Sequence, residues 1–296
     1  MEALTGAVGR ALEEAGDPGP IAEVRSIAGG DINRAMQVET ASRRYFVKWH
    51  PTPQPDVFVC EAKGLALLAA AGAARVPAVI GAGRVPESGA AFLILEWIER
   101  GGGKSGPAAA ELGRQLAGLH RARQARYGLD HDNYIGRLPQ PNTYADSWIS
   151  FYATERLGAQ RDLAARNGRL PAPRARGLER VIASLDRWID ESTCQPSLLH
   201  GDLWGGNWLV SAAGEPVLID PAVYYGDREA DLAMTRLFGG FPPAFYDAYR
   251  EAFPLAPGYA EREPLYQLYY LLCHLNLFGE GYGGSVDAIL RRYGGG

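Results

Sequence analysis

Apolar residues recur every third or fourth position over residues 2–15, where Leu4, Val8 and Leu12 share one face. That period predicts an amphipathic helix. The pattern then changes to strand-like runs over 21–28, 35–40 and 44–49, and the last two alternate about Ala41-Ser42-Arg43, a hairpin turn. Helical spacing returns over 56–71, with Phe58, Leu65 and Leu68 as candidate core positions. Two more strands are predicted at 78–82 and 91–98, joined through the turn Pro86-Glu87-Ser88-Gly89. Beyond Arg100-Gly101-Gly102-Gly103-Lys104-Ser105-Gly106, where Gly and Ser favour a flexible loop, the pattern is mostly helical. Helices are predicted at 108–121, 143–167, 174–191 and 264–278, interrupted by short strands at 208–210 and 217–219. The chain therefore divides into residues 1–98, a linker at 99–106, and residues 107–296. No internal repeat is visible.

Chemistry is concentrated in the second part. Leu199-His200-Gly201-Asp202-Leu203-Trp204-Gly205-Gly206-Asn207-Trp208 is followed by Val217-Leu218-Ile219-Asp220-Pro221. The H-x-D-L-x-x-x-N frame is that of a kinase catalytic loop. In such a loop the aspartate accepts the proton of a substrate hydroxyl and the asparagine holds Mg²⁺. A lone H-x-D is a common turn; the added Asn and strand-terminal Asp make the string specific for phosphoryl transfer from ATP. Asp202 is the candidate base, and Asn207 and Asp220 are candidate Mg²⁺ ligands, since Mg²⁺ takes few protein oxygens and shares substrate phosphates. His200 is expected to hold the loop backbone, and Asp231 to accept backbone N–H groups from the same loop.

The first part supplies the complement. Lys48, ending the third strand, is placed to grip the ATP phosphates, and Glu61 on the following helix to aim it. Three strands, a helix and two strands are the order of the small lobe of a kinase-like fold. Gly29, Gly30 and Asn33 join the first two strands, where glycine lets backbone N–H groups approach phosphates, although the full G-x-G-x-x-G is absent. Glu96-Trp97-Ile98 is expected to be the hinge, with its backbone facing adenine. The expected class is α+β: a bilobal protein-kinase-like fold with a five-stranded antiparallel sheet and a helix in the N-lobe and a mainly helical C-lobe.

Composition narrows the field. The 296 residues are 47% apolar and 22% charged, as in an ordinary globular protein. Thirty Lys+Arg against 34 Asp+Glu give a charge of -4, which argues against a nucleic-acid partner. Cys60, Cys194 and Cys273 are scattered, with no C-x-x-C, so neither a disulfide framework nor a zinc site is expected. No signal peptide or membrane-length apolar run is read, so a cytoplasmic location without a membrane partner is expected. Oligomeric state is not legible.

Longer stretches carry a resemblance. They include Gly29-Gly30-Asp31-Ile32-Asn33-Arg34-Ala35, Tyr45-Phe46-Val47-Lys48, Asp132-Asn133-Tyr134-Ile135-Gly136 and Pro139-Gln140-Pro141-Asn142-Thr143. The most specific are H-G-D-L-W-x-G-N at the catalytic loop and D-P-A-x-Y-Y-G-x-R-E-x-D-L-A from Asp220. Together they resemble the fructosamine kinase (ketosamine-3-kinase) family, within the aminoglycoside-phosphotransferase branch of kinase-like folds. The resemblance implies ATP- and Mg²⁺-dependent phosphorylation of a sugar hydroxyl on ketosamines, either small molecules or glycated protein lysines. The phosphorylated adduct then falls apart and frees the amine, which is deglycation, a form of protein repair. Some relatives carry a cysteine in the nucleotide loop; Asp31 stands in that loop here, so no thiol switch is expected there. A ketosamine amine can be cationic, so aromatic and acidic groups suit it, and Trp204, Tyr224 and Asp227 are the candidates nearest the base in sequence. The alternatives are an aminoglycoside or choline phosphotransferase and a catalytically dead binding module.

Overall fold

The computed structural model describes residues 1–27 and 33–294. Helix α1 (Glu2–Glu14) leads into strands β1 (Ile21–Ile27), β2 (Arg34–Thr40) and β3 (Arg44–His50). Helix α2 (Val57–Ala70) and strands β4 (Val79–Arg84) and β5 (Ala91–Glu96) follow. The five strands form one antiparallel sheet in the order β1-β2-β3-β5-β4. Successive side chains on a strand point to opposite faces. On β5, Phe92 and Ile94 therefore meet Leu4, Val8 and Leu12 of α1, while Leu93 and Leu95 join Phe58, Leu65 and Leu68 of α2. Burial on both faces explains why β5 is an unbroken apolar run.

The core on the α2 side continues into the second lobe through Leu112, Leu116, Leu203, Trp208 and Val223. That lobe contains α3 (Gly106–Leu119) and a hairpin of β6 (Asn133–Ile135) and β7 (Leu138–Gln140). Helix α4 (Trp148–Phe151) runs through a π-helical turn (Tyr152–Gly158) into α5 (Ala159–Arg166), and α6 (Ala172–Ala183) follows. Strands β8 (Ser197–Leu199), β9 (Trp208–Val210), β10 (Pro216–Leu218) and β11 (Tyr224–Gly226) pair as β8–β11 and β9–β10. The chain closes with α7 (Glu229–Leu237), α8 (Pro243–Ala252), α9 (Tyr259–Phe278) and α10 (Gly283–Tyr293).

Three expectations change. The helix predicted at 143–167 starts only at Trp148, where Ser147 caps it through a 3.1 Å bond from the Ser150 amide. The helix predicted at 174–191 stops at Ala183. The Gly-rich linker is strapped down rather than free. The Gly101 amide donates to Val210 O at 2.9 Å, the Ala212 amide to Glu99 O at 2.7 Å, and a Cβ on Gly101 would collide with the Ser211 carbonyl. Among the described residues no helix is long and apolar enough to cross a membrane.

Candidate active site

The catalytic loop leaves β8, which is buried and paired with β11. Gly201 is required there: its φ is +84°, and a Cβ would run into the Ala222 carbonyl. Asp231, fully buried on α7, accepts the His200 amide at 2.7 Å and the Gly201 amide at 2.8 Å. It also meets His120 Nε2 at 3.2 Å, and His120 Nδ1 meets Tyr249 OH at 2.8 Å. The loop backbone thus hangs from a buried carboxylate, as expected for Asp231; the part played by His120 was not read from the sequence. His200 Nδ1 accepts the Asp202 amide at 3.3 Å, so its proton sits on Nε2, which donates to Ile219 O at 2.9 Å. Burial lowers the His200 pKa, which favours this neutral form. The histidine ties the Asp202 backbone to the segment leading into Asp220.

Asn207 joins the same two segments. Its Nδ2 lies 2.8 Å from Asp202 O, 3.1 Å from Asp202 Oδ2 and 3.4 Å from Asp220 O. With oxygens all around the nitrogen end, the amide orientation is settled. Among the described residues Oδ1 has no hydrogen-bond donor and is left as a free acceptor. Asp220 has φ +56°, an uncommon conformation for a residue with a Cβ. Its Oδ1 accepts from Lys48 Nζ at 2.7 Å, and its side chain remains 43% exposed. Lys48, buried on β3, also pairs with Glu61 on α2 at 2.7 Å. Burial first, and Asp220 second, push the Asp202 pKa up to about 7.

Asp220 and Glu61 therefore share one lysine, while Asn207 ties Asp202 to the Asp220 segment. The excess of carboxylate and the free amide oxygen form a donor set of hard oxygens that fits Mg²⁺. Among the described residues no three His, Cys, Asp or Glu side chains are placed to hold an ion by themselves. A metal here needs further ligands, the usual situation when substrate phosphates complete the shell.

The other expected site residues separate. Trp204 is on the loop and 41% exposed, its indole folded over Gly206. Tyr224 is corrected: it is 0% exposed, under the Arg156 guanidinium at 3.8 Å, because β11 turns that side chain into the core. Asp227 is corrected as well: it is 5% exposed, and its Oδ1 accepts the Glu229 amide at 2.7 Å at the start of α7. The Glu96 carboxylate is engaged by Arg75 and by the Ala78 amide at 3.0 Å, while Ile98 beyond it lies outside any strand. Asn33 immediately precedes β2, and Gly29 and Gly30 fall outside the described residues. Nothing in the sequence pattern marked the buried Arg156.

The chain is similar to known proteins over nearly its whole length. The family model described as fructosamine kinase matches residues 6–293. A protein of Lactiplantibacillus plantarum named a probable ketoamine kinase is 45% identical over 92% of this chain and 95% of its own length. The chloroplastic protein-ribulosamine 3-kinase of Arabidopsis thaliana is 39% identical over 92% of this chain and 83% of its own. A crystal structure of a fructosamine-3-kinase candidate from Thermobifida fusca superposes with a TM-score of 0.85 at 35% identity, covering 96% of this chain and 97% of that one.

Proposed function

Because the chain belongs to the fructosamine kinase family, we infer that it transfers the γ-phosphoryl group of ATP to a sugar hydroxyl of a ketosamine. The observation that carries this reading is the convergence of Asp202, Asn207, Asp220 and the Lys48–Glu61 pair on one site. Phosphoryl transfer passes through a loose transition state, so the protein mainly positions groups and balances charge. Asp202 orients the attacking hydroxyl and takes its proton. Lys48, aimed by Glu61, holds the ATP phosphates. Asn207 Oδ1 and the Asp220 carboxylate would hold Mg²⁺, which when bound would neutralise charge on the phosphate oxygens. The Ile98 backbone faces adenine, and the Glu96 side chain braces the hinge through Arg75. Asn33, at the edge of the glycine-containing segment between β1 and β2, is assigned to the phosphate side of the site. Trp204 covers the sugar and its cationic amine.

Residues 1–98 act as the nucleotide lobe, 99–106 as the connection, and 107–296 as the catalytic and substrate lobe. Phosphate leaves more readily than hydroxide, so the phosphorylated adduct loses inorganic phosphate together with a proton from the neighbouring carbon; water then hydrolyses the imine form of the unsaturated product, freeing the amine and leaving a dicarbonyl sugar fragment. On this reading the reaction is a deglycation step on free or protein-bound ketosamines.

The test is ADP release with Mg·ATP over ribulosyl-lysine, fructosyl-lysine, an aminoglycoside and choline, with Asp202→Asn as control. Turnover confined to the ketosamines is the expected result. Turnover on the aminoglycoside or choline alone overturns the substrate assignment and leaves the phosphoryl-transfer chemistry in place.

A further inference from the structure

The β6–β7 hairpin carries a buried polar chain that ends on the segment after Asp220. Arg156 donates to Asn142 Oδ1 at 2.8 Å, and Asn142 Nδ2 to Asn133 Oδ1 at 2.9 Å. Asn133 Nδ2 then donates to the Val223 carbonyl at 2.7 Å. Gln140 Nε2 donates to Asn133 Oδ1 at 2.8 Å and to the Ala222 carbonyl at 3.0 Å, while its Oε1 accepts from Tyr269 OH at 2.7 Å. All four polar side chains from Asn133 to Arg156 are buried. A guanidinium only donates and a backbone carbonyl only accepts, so the chain runs one way and every amide has a single satisfactory orientation.

The carbonyls at its end lie two and three residues after Asp220, next to the left-handed turn that aims the Asp220 carboxylate at Lys48. The opposite face of the hairpin reaches the other lobe. Tyr134 OH donates to Pro55 O at 2.8 Å, just before α2, and Cys60 Sγ on α2 lies 3.6 Å from Asp132 O. Adjacent residues, Asn133 and Tyr134, thus hold the Asp220 segment and the approach to the Glu61 helix from the two sides of one strand.

We propose that the β6–β7 hairpin is a positioning element that sets Asp220 against Lys48 and α2, and so governs the metal-dependent part of ATP binding. The inference rests on the reading of Asp220 as a Mg²⁺ ligand. None of the hairpin residues need touch substrate.

Asn133→Asp and Gln140→Glu are nearly isosteric and put oxygen where the Val223 and Ala222 carbonyls now receive N–H. Tyr134→Phe removes one hydroxyl from a partly exposed position and leaves the fold intact. ATP binding to the full chain is measured by calorimetry with and without Mg²⁺. In the two amide variants the gain in ATP affinity on adding Mg²⁺ is expected to fall roughly 10–100-fold, with metal-free binding nearly unchanged. In Tyr134→Phe the same gain is expected to fall about two- to fivefold. The KM for free Mg²⁺ rises in parallel while the KM for ketosamine holds.

A wild-type gain in Tyr134→Phe and in every amide variant that folds overturns the proposal. Equal weakening of metal-free and Mg²⁺-dependent binding also overturns it, because that assigns the chain to stability alone. A wild-type protein that gains affinity with Mg²⁺ but phosphorylates no ketosamine overturns the substrate reading; losses of that gain in the variants then still support the positioning role.

Discussion

Lys48 Nζ donates to Asp220 Oδ1 at 2.7 Å, joining residues from opposite lobes. Burial works against the ammonium charge, but Asp220 and Glu61 outweigh it and hold the lysine pKa above its ordinary value. The lysine is therefore charged across the physiological range and is shared between the two carboxylates.

Lys48→Met should raise the KM for ATP by roughly tenfold or more, the size of one lost charge-assisted contact, with little effect on the KM for ketosamine. Steady-state kinetics with each substrate varied in turn will show the split. Unchanged kinetics at limiting ATP would remove Lys48 from the site.

Asp202→Asn should keep Mg·ATP binding and lose roughly 10²–10⁴ in turnover, the usual contribution of a general base. Equilibrium binding and single-turnover rates separate the two. Near-wild-type turnover would sink the assignment of Asp202 as base.

Asp231→Asn sets an amide against the His200 and Gly201 N–H groups that now share a carboxylate. The expected loss is about 2–3 kcal/mol of stability, from hydrogen bonds to a charged group with one donor left facing an N–H, together with lower turnover. Urea unfolding measures the first quantity, and the wild-type value in that assay would rule out the suspended-loop account.

Trp204→Ala should raise the KM for ketosamine and leave that for ATP unchanged, since the indole lies exposed on the loop between Asp202 and Asn207. An effect on ATP alone would move Trp204 to the nucleotide side.

Acid stability should depend on Asp17 in the N-lobe. Its carboxylate accepts from Thr40 Oγ1 and Tyr45 OH at 2.7 Å each and from Ser42 Oγ at 2.9 Å. These bonds, that of Thr40 first, lower its pKa to about 2. An unfolded aspartate titrates near ~3.9. The folded group holds its proton less tightly, so its stabilisation is fully present above about pH 4 and is lost as pH falls through about 2. Asp17→Asn should flatten the fall of Tm with acid across that interval. A parallel fall in both proteins would show that Asp17 is not the group responsible.

The N-lobe was readable because its elements are amphipathic and local: Leu4, Val8 and Leu12 mark one helical face, and β2 and β3 meet across a three-residue turn. The catalytic loop was readable because His200, Asp202 and Asn207 act within one turn of chain and Asp220 ends the next strand. Tyr224 and Asp227 were misread because nearness in sequence to the base says nothing about which way a side chain faces. Pairing of β11 with β8 sends Tyr224 inward, and the first turn of α7 claims Asp227. The hold of Asn133 and Gln140 on the Asp220 segment spans more than eighty residues of chain and leaves no periodic trace.

By itself, then, the sequence determined the lobes and the loop motif through local spacing, and the family through the longer stretches that resemble it. Tertiary structure alone decided that Lys48 meets Asp220, that Asp231 suspends the loop, that the linker is strapped to β9, and that a buried amide chain ends behind the Asp220 segment. Those relations depend on burial and on donors finding acceptors from distant parts of the chain, which appear only when the elements pack.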